Sequence, residues 1–595
     1  MPARVASPSP LPAPPAQLAP PALLAWSRAG PGRAGAFPAF ALILALALAL
    51  SLVLAATGPG HAQDQGPPMS AIDWLSDSVA VPPVAAPDVT DGTGGTEGTG
   101  GSTGAAGLGA GGPTLPATVL FPDTTADPGA FSPHLDPVAP VSVAPLDAPG
   151  TAPDSIGILA PAVTGLPPGL WGNARPEDVA RRIRAERPEM LPALQALLQT
   201  ILLAELDPPR GPGGDGREVF LARVDKLLEM GALEQANALL ERAPRDDPQV
   251  IRRHFDVALL LGQEQPLCEV LAASPQLSPT YQARIFCLAR AGNWESAALL
   301  LGTGTVLELI PEEDAELFAR FLDPDLFEEE PPLALPRNPT PLTFRMYEAI
   351  GQAIPTQGLP LAFAHSDLRA NIGWKARVEA GERLARTGAV SDNQLYGLYS
   401  ERRAAASGGV WDRVAAVQKL ERAMRAGYRA GTAEALPALW DALAQARVEV
   451  PIARILGPKL ANMGLEGDAG QLAFRMALLS DDYETHATQA KPEAAFDRLL
   501  VGLARGMLTE AAPDDARARA VVDGFTAAGP PPRLAALVES NRLGEAILRA
   551  ITLLAEGTSG DLDQVTDALA LLRAVGLEDT ARRTALEFLI LDRQG

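Results

Sequence analysis

Cysteine is almost missing from this chain: 595 residues contain two, Cys268 and Cys287. That excludes a disulfide-stapled mini-domain and any Cys-rich zinc or redox cluster. The spacing leaves one structural bridge between neighbouring helices or, alternatively, two buried thiols acting as small apolar residues. Histidine is nearly as scarce. His61, His134, His254, His365 and His486 stand far apart, none in an H-x-x-x-H spacing with a glutamate, so no metal ligand set is expected. No G-x-S-x-G elbow occurs, and the glycine-rich stretch 211–216 lacks the Lys-Ser/Thr pair of a phosphate cradle. The loop pattern of a calcium site is also absent. No catalytic or cofactor-binding residue emerges, and no cofactor is expected.

Aromatic residues make up only 5% of the chain, so its core must be built from Leu, Ala, Val and Ile. Such a core suits packed helices better than a β-sandwich. Lysine is rare as well, at five residues against 44 arginines; together with abundant Ala, Gly and Pro this reads as the mark of a GC-rich genome. The net charge is −22, and an acidic chain repels nucleic acid and anionic head groups, which argues against both as partners.

Acids are wholly absent from residues 1–62, where Arg4, Arg28 and Arg33 precede an apolar run from Ala39 to Leu54. Gly58, Pro59 and Gly60 break that run, and Gly60 and Ala62 place small residues at the −3 and −1 positions of a cut between Ala62 and Gln63. A basic lead, an apolar stretch and a small-x-small site make a signal peptide. The alternative is an uncleaved anchor, because the run approaches the roughly 20 apolar residues that span a bilayer. Either way the bulk is expected outside the cytoplasm: periplasmic or secreted, or held at the inner membrane facing the periplasm. Cleavage would remove three arginines and no acid, moving the net charge from −22 to −25.

Residues 63–165 are dominated by Gly, Pro, Ala, Thr and Asp, a composition that buries too little apolar surface to offset chain entropy. They read as a tether with two islands. In the first, Ile72, Trp74 and Leu75 within 70–79 form either a short docking motif that folds on a partner or a few apolar residues in a solvated tail. The second, from Ser155 to Ala160 and on to Leu170-Trp171-Gly172, has the apolar density of an extended segment lying on a helical domain.

From Arg175 onward the pattern turns helical. Phe220, Val224, Leu227 and Leu228 mark one buried face, and Asp247-Pro248, Ser278-Pro279 and Asp561 with Gln564 look like helix starts. No alternating β-branched run suggests a strand. The segments expected are a docking segment with leading helices at 166–206, helical repeats at 217–330 and a second helical-repeat domain at 342–595. Pro/Gly-rich 207–216 and 328–341 supply the seams. Gly231, Gly262 and Gly292 recur at intervals of 31 and 30 residues, each closing an apolar helix. Gly231/Ala236, Gly292/Ala297, Gly464/Ala469 and Gly576/Ala581 share a glycine followed five places later by alanine.

This Gly-x-x-x-x-Ala spacing, best seen in Arg290-Ala291-Gly292-Asn293-Trp294-Glu295-Ser296-Ala297, resembles the turn of tetratricopeptide-type repeats. The order of export signal, Pro/Ala-rich tether and helical region also resembles uncharacterised exported proteins of alphaproteobacteria. The tetratricopeptide-like turn implies an all-α, solenoid-like body, and because such a body offers an extended concave surface the expectation is a scaffold that binds an envelope protein or peptide and performs no catalysis. Two other classes stay open: an envelope enzyme, for example one acting on peptidoglycan, and a structural spacer anchored in the inner membrane. Glu539-Ser540 matches the catalytic dipeptide of periplasmic lytic transglycosylases, but the Gly-Leu-Met-Gln-type motif that follows it in that family is missing.

Export is directly testable. Residues 1–70 fused to a periplasm-dependent reporter should give activity, with the mature chain starting at Gln63. Full-length protein retained in the membrane selects the anchor, and a reporter active only in the cytoplasm rules out both.

Overall fold

A computed structural model describes residues 152–508, 514–558 and 560–591. The export run, Ala62 and Gln63, and the first island with Ile72, Trp74 and Leu75 lie outside these described residues. Ordered structure within them is helical, and no strand forms; the nearest to one is an isolated parallel bridge between Leu159 and Ala204.

A leading group holds α1 (Pro161–Thr164), α2 (Pro176–Ala185) and α3 (Pro192–Leu203). Next come α4 (Glu218–Glu229), α5 (Leu233–Leu240), α6 (Pro248–Leu261), α7 (Gln265–Ala273), α8 (Tyr281–Arg290), α9 (Trp294–Val306) and α10 (Glu312–Leu322). After the second Pro-rich stretch follow α11 (Pro341–Ala349), α12 (Ala364–Asp367), α13 (Trp374–Ala385), α14 (Asp392–Ser400), α15 (Val410–Arg425), α16 (Arg429–Ala446), α17 (Glu449–Ala461) and α18 (Gly467–Leu478). The last are α19 (Tyr483–Gln489), α20 (Ala495–Ala504), α21 (Ala516–Thr526), α22 (Pro532–Glu539), α23 (Leu543–Gly557), α24 (Leu562–Ala574) and α25 (Glu578–Ile590). No helix among the described residues is long and apolar enough to cross a membrane.

Consecutive helices pack as hairpins, for example α4 on α5, α8 on α9, α15 on α16 and α23 on α24. Their turns are built alike. At Gly292, φ is +81°, its N–H reaches Ala289 O at 3.0 Å, and the next N–H, of Asn293, reaches Leu288 O at 2.9 Å. These two bonds satisfy the last carbonyls of α8 and reverse the chain, and the left-handed φ between them suits glycine. Gly231 repeats the pattern with Leu228 and Leu227. Glu308, Arg447 and Asn541 adopt the same left-handed turn without being glycine. Five residues beyond the turn a small side chain enters the helix contact: Ala236, Ala297 and Ala581, and also Thr432 after Gly427 and Ala546 after Asn541, are all fully buried.

Helix starts follow local chemistry in part. Phe220, Val224, Leu227 and Leu228 are fully buried on α4, and Asp247 caps α6 by accepting the Gln249 N–H at 2.8 Å. At Ser278-Pro279 the start lies two residues later than expected, because Thr280 Oγ1 takes the Ala283 N–H and begins α8 at Tyr281. Asp561 does not cap α24 through its side chain; its carboxylate instead accepts from Gln564 Nε2 at 2.8 Å.

Two helix starts are capped from far away in the chain. Asp154 accepts the Phe220 N–H of α4 at 2.8 Å, and Glu587 of α25 accepts the Ala193 N–H of α3 at 2.9 Å. A linear repeat stack has contacts only between neighbouring repeats. Here the leading segment joins both ends of the helical array. The second island lies against it: Leu170 and Trp171 are fully buried, Leu170 O accepts the Gly544 N–H at 2.8 Å, and a Cβ on Gly544 would strike the Trp171 ring. α3 packs on α4, α23 and α25, and its Gln195 and Gln199 donate to the backbone of Arg386, Thr387 and Gly388.

Both Pro-rich stretches are stitched to helices. Arg210 and Gly211 donate to Gly172 O and Ala174 O, while Pro331 O and Ala334 O accept from Arg320 and Tyr347. One apolar cluster runs from Leu166 to Leu591 across the 328–341 stretch, and α11 beyond it packs back on α6.

Replacing Gly292 by Val should cost about 1–2 kcal/mol, since an added Cβ meets no neighbour there and only the backbone opposes it. Ala297→Leu should cost roughly 1–3 kcal/mol by overpacking α9 on α8. Both should lower the melting temperature, whereas Gly94→Val should not; unchanged melting would make the Gly/Ala spacing a coincidence.

Glu186 supplies a pH signature. It is 3% exposed, and burial pushes its carboxyl from 4.5 up to about 7 although the Thr552 hydroxyl donates to it at 2.9 Å. The folded state therefore holds this proton more tightly than the unfolded chain. The contribution to stability is full below pH 4.5 and is lost as pH rises through about 7, an effect of at most ~3 kcal/mol. Glu186→Gln should gain stability relative to the parent across that window, as read from urea unfolding at each pH; parallel curves would show that Glu186 ionises normally.

Candidate functional site

Helix α9, Trp-Glu-Ser-Ala-Ala-Leu-Leu-Leu-Gly-Thr-Gly-Thr-Val, carries apolar residues all round its circumference, yet only Ala297 and Gly304 are buried. Surface helices of globular proteins ordinarily turn a polar face to water. α9 turns out Trp294, Ala298, Leu299, Gly302 and Val306 beside Ser296, Thr303 and Thr305, with Glu295 as the helix's one charge. Trp294 is 49% exposed, Leu299 73% and Val306 82%. The turn that follows adds Leu307 and Leu309, and the segment after α10 adds Leu326. Of twelve strongly exposed large apolar side chains among the described residues, eight fall between Tyr281 and Leu335. Leu299 and Val306 lie two turns apart on one side of α9 and Leu307 and Leu309 follow in its closing turn, so the concentration there is a patch and not the scatter of single residues a surface ordinarily shows.

The patch rests on a rigid base. α9 packs on α8 and α10, and α8 is joined to α7 by the Cys268–Cys287 disulfide, whose Cα atoms are 5.0 Å apart. In the chain-entropy account a loop of 19 residues closed this way contributes about 3 kcal/mol. Cys268 belongs to the second helix of one hairpin and Cys287 to the first helix of the next. Ring contacts then lead outward: Phe255 meets Phe286 at 6.5 Å, Phe286 meets Phe321 at 6.4 Å, and Phe321 meets Trp294 at 6.0 Å. Trp294 is thus held in place by a buried aromatic series. Glu308 closes α9 at φ +57°, a backbone state that costs a non-glycine residue about 1–2 kcal/mol and that turns Leu307 and Leu309 outward.

Acids are dense along the segment that carries this face. Over the same span, residues 281–335, eleven Asp and Glu stand against three Arg, a local net charge of −8 within a chain of −22. Glu312, Glu313 and Asp314 form the first turn of α10, where they favour the positive end of the helix dipole. Asp314 is drawn inward; burial pushes its carboxyl up, while Gln282 Nε2 donates to it at 2.9 Å. Glu295, Glu308, Glu312, Glu313, Asp323 and Asp325 are exposed. Arg320 is consumed internally: it pairs with Glu316 at 2.8 Å and Glu330 at 3.2 Å and lies over the Phe327 ring, while of the two exposed arginines on α8 Arg290 pairs with Glu264 at 3.6 Å.

Three hollows elsewhere in the described residues measure about 270, 260 and 190 Å³, at or below the small end of ligand pockets, which run from roughly 300 to 1,000 Å³. The smallest lies beyond α10 between Arg252, Asp256, Gln282 and Asp314. No group of three or more His, Cys, Asp or Glu among the described residues is placed to hold a metal ion. His254 and His365 are buried, and burial lowers the pKa of each; His365 Nε2 meets Gly231 O at 2.6 Å. His486 borders a separate hollow. Glu539 is exposed at the end of α22, and the Ser540 hydroxyl donates to Ala536 O in its own helix.

The α9 face was missed by sequence reasoning. Its signal is a negative one: a stretch from Ala297 to Val306 with no charge and only Thr303 and Thr305 as polar residues, followed by an acidic run. No protein family, no curated protein and no solved structure matches this chain.

Proposed function

We propose that this chain is an exported cell-envelope protein whose helical-repeat body serves as a binding scaffold for another protein or for a peptide, with no catalytic step of its own. The α9 face carries this reading. Holding Leu299, Val306 and Leu307 in water forgoes about 1.5–3 kcal/mol for each side chain that a partner could bury. A fold that braces such a face with a disulfide and an aromatic series has paid-in rigidity of the kind that interfaces use. Trp294 at its edge belongs to the residue type most enriched at interface hot spots. An export element at residues 1–62 would put this encounter in the periplasm or beyond.

A photo-crosslinking residue at Leu299 or Val306 of the full chain, in cells that express it, should give one discrete adduct. The same residue at Tyr428, exposed but away from the patch in sequence and packing, should not. No adduct at either α9 position would remove the scaffold reading.

A further inference from the structure

We infer that the occupant of the α9 face is a cationic amphipathic helix, with an apolar stripe to meet α9 and Arg or Lys along its flanks. This rests on the scaffold reading and adds the partner's chemistry. Charge decides among possible occupants. Any partner seated on Trp294, Leu299 and Val306 meets Glu295 on α9 itself, Glu308 in its closing turn and the exposed Glu312 and Glu313 at the start of α10, which packs on α9. Within a screening length of roughly 8 Å at physiological salt, these carboxylates act on the partner's flanks. A second copy of this chain would set two such rims against each other. An anionic bilayer would be repelled in the same way. A neutral peptide would bury the apolar face but leave the rim without counter-charge. Basic flanks satisfy both parts of the surface and raise the encounter rate.

Shape points to a helix. Trp294, Ala298, Gly302 and Val306 follow at four-residue spacing and form one ridge, with small residues in its middle and large ones at its ends. A Cβ on Gly302 would meet no atom within 4 Å, so the saddle opens to solvent. Its floor lets a second helix approach closely between Trp294 and Val306. The Trp294 ring, held by Phe321, can also stack under a guanidinium or ammonium on the partner's flank.

The probes are a labelled Leu/Lys amphipathic helix of about 18 residues, or five turns, and its Leu/Glu counterpart. Each is titrated with the full chain and followed by fluorescence anisotropy. The Lys helix should bind and the Glu helix should not. Binding should weaken between about 0.1 M and 1 M salt, as the screening length shrinks from roughly 10 to 3 Å. Leu299→Glu combined with Val306→Glu, at exposed positions, should weaken binding roughly tenfold or more, the size of a hot-spot loss. That variant is more acidic than the parent, so its loss separates seating on α9 from general attraction of a cation to an acidic protein. Glu312→Lys with Glu313→Lys should also weaken the Lys helix, with circular dichroism showing the fold retained in both variants.

Unchanged or tighter binding by the Leu299/Val306 variant overturns the inference. Equal binding of both peptides overturns the cationic partner and leaves apolar docking. Preferred binding to phosphatidylethanolamine/phosphatidylglycerol vesicles, or a sedimenting dimer that Leu299→Glu dissolves, hands the face to a bilayer or a second copy and overturns it equally. If neither peptide binds while crosslinking at Leu299 gives an adduct, the scaffold reading stands and the partner chemistry fails; if the adduct is missing too, both fail.

Discussion

The guanidinium of Arg223 is fully buried, and it donates to three backbone carbonyls: Ile156 O at 2.7 Å, Leu202 O at 2.7 Å and Ala204 O at 2.8 Å. Those carbonyls belong to two stretches, the second island and the end of α3, which also meet in the Leu159–Ala204 bridge. A buried cation is expensive unless every donor is answered, and burial draws the pKa of this group down to about 10. Backbone acceptors answer it without a paired carboxylate at contact distance. Much of the leading segment depends on this one residue of α4, because α3 in turn reaches α23 and α25 at the other end of the chain. Lys226, one turn further along α4, likewise donates to Arg184 O and Glu186 O but is also paired with the Glu229 carboxylate.

The closure has a consequence for the repeat architecture. Open stacks expose their terminal repeats and need capping helices with a polar outer face. In this chain the leading segment covers the first hairpin and the last helices together, with Asp154 and Glu587 completing helix starts that their own neighbours leave bare. Apolar surface is thus removed at both termini of the array. It remains at α9, in the interior of the sequence, where the hairpin is braced by Cys268–Cys287 and by the Phe255–Phe286–Phe321 series. Rigidity and exposure coincide at one place, which is why the binding reading centres there.

Short-range chemistry was legible in the sequence wherever a helix begins or ends by its own residues. The all-helical class followed from sparse aromatics and the 3.6 period of Phe220, Val224, Leu227 and Leu228; the hairpin turns followed from Gly231 and Gly292, since a left-handed φ favours glycine. The turns at Glu308 and Arg447 were not legible, because neither residue type favours a left-handed φ, whereas Asn541 belongs to the one non-glycine type that adopts it readily. Distant caps escape sequence reading for a related reason. Asp154 and Glu587 carry no sign of which N–H they will meet, 66 and 394 positions away.

By itself the sequence determined helix identity, the turn chemistry at its glycines, the acidity and the absence of any recognisable catalytic or metal-binding pattern, all properties set by residues a few positions apart. Tertiary structure alone decided that Trp171 and Arg223 would lie at the centre of the packing and that Trp294, Leu299 and Val306 would face outward. Residue type makes Trp171, Trp294, Leu299 and Val306 candidates for burial and Arg223 a candidate for the surface. Only the arrangement of neighbouring helices, which covers one side of α9 with α8 and α10 and leaves the other uncovered, separates core from surface.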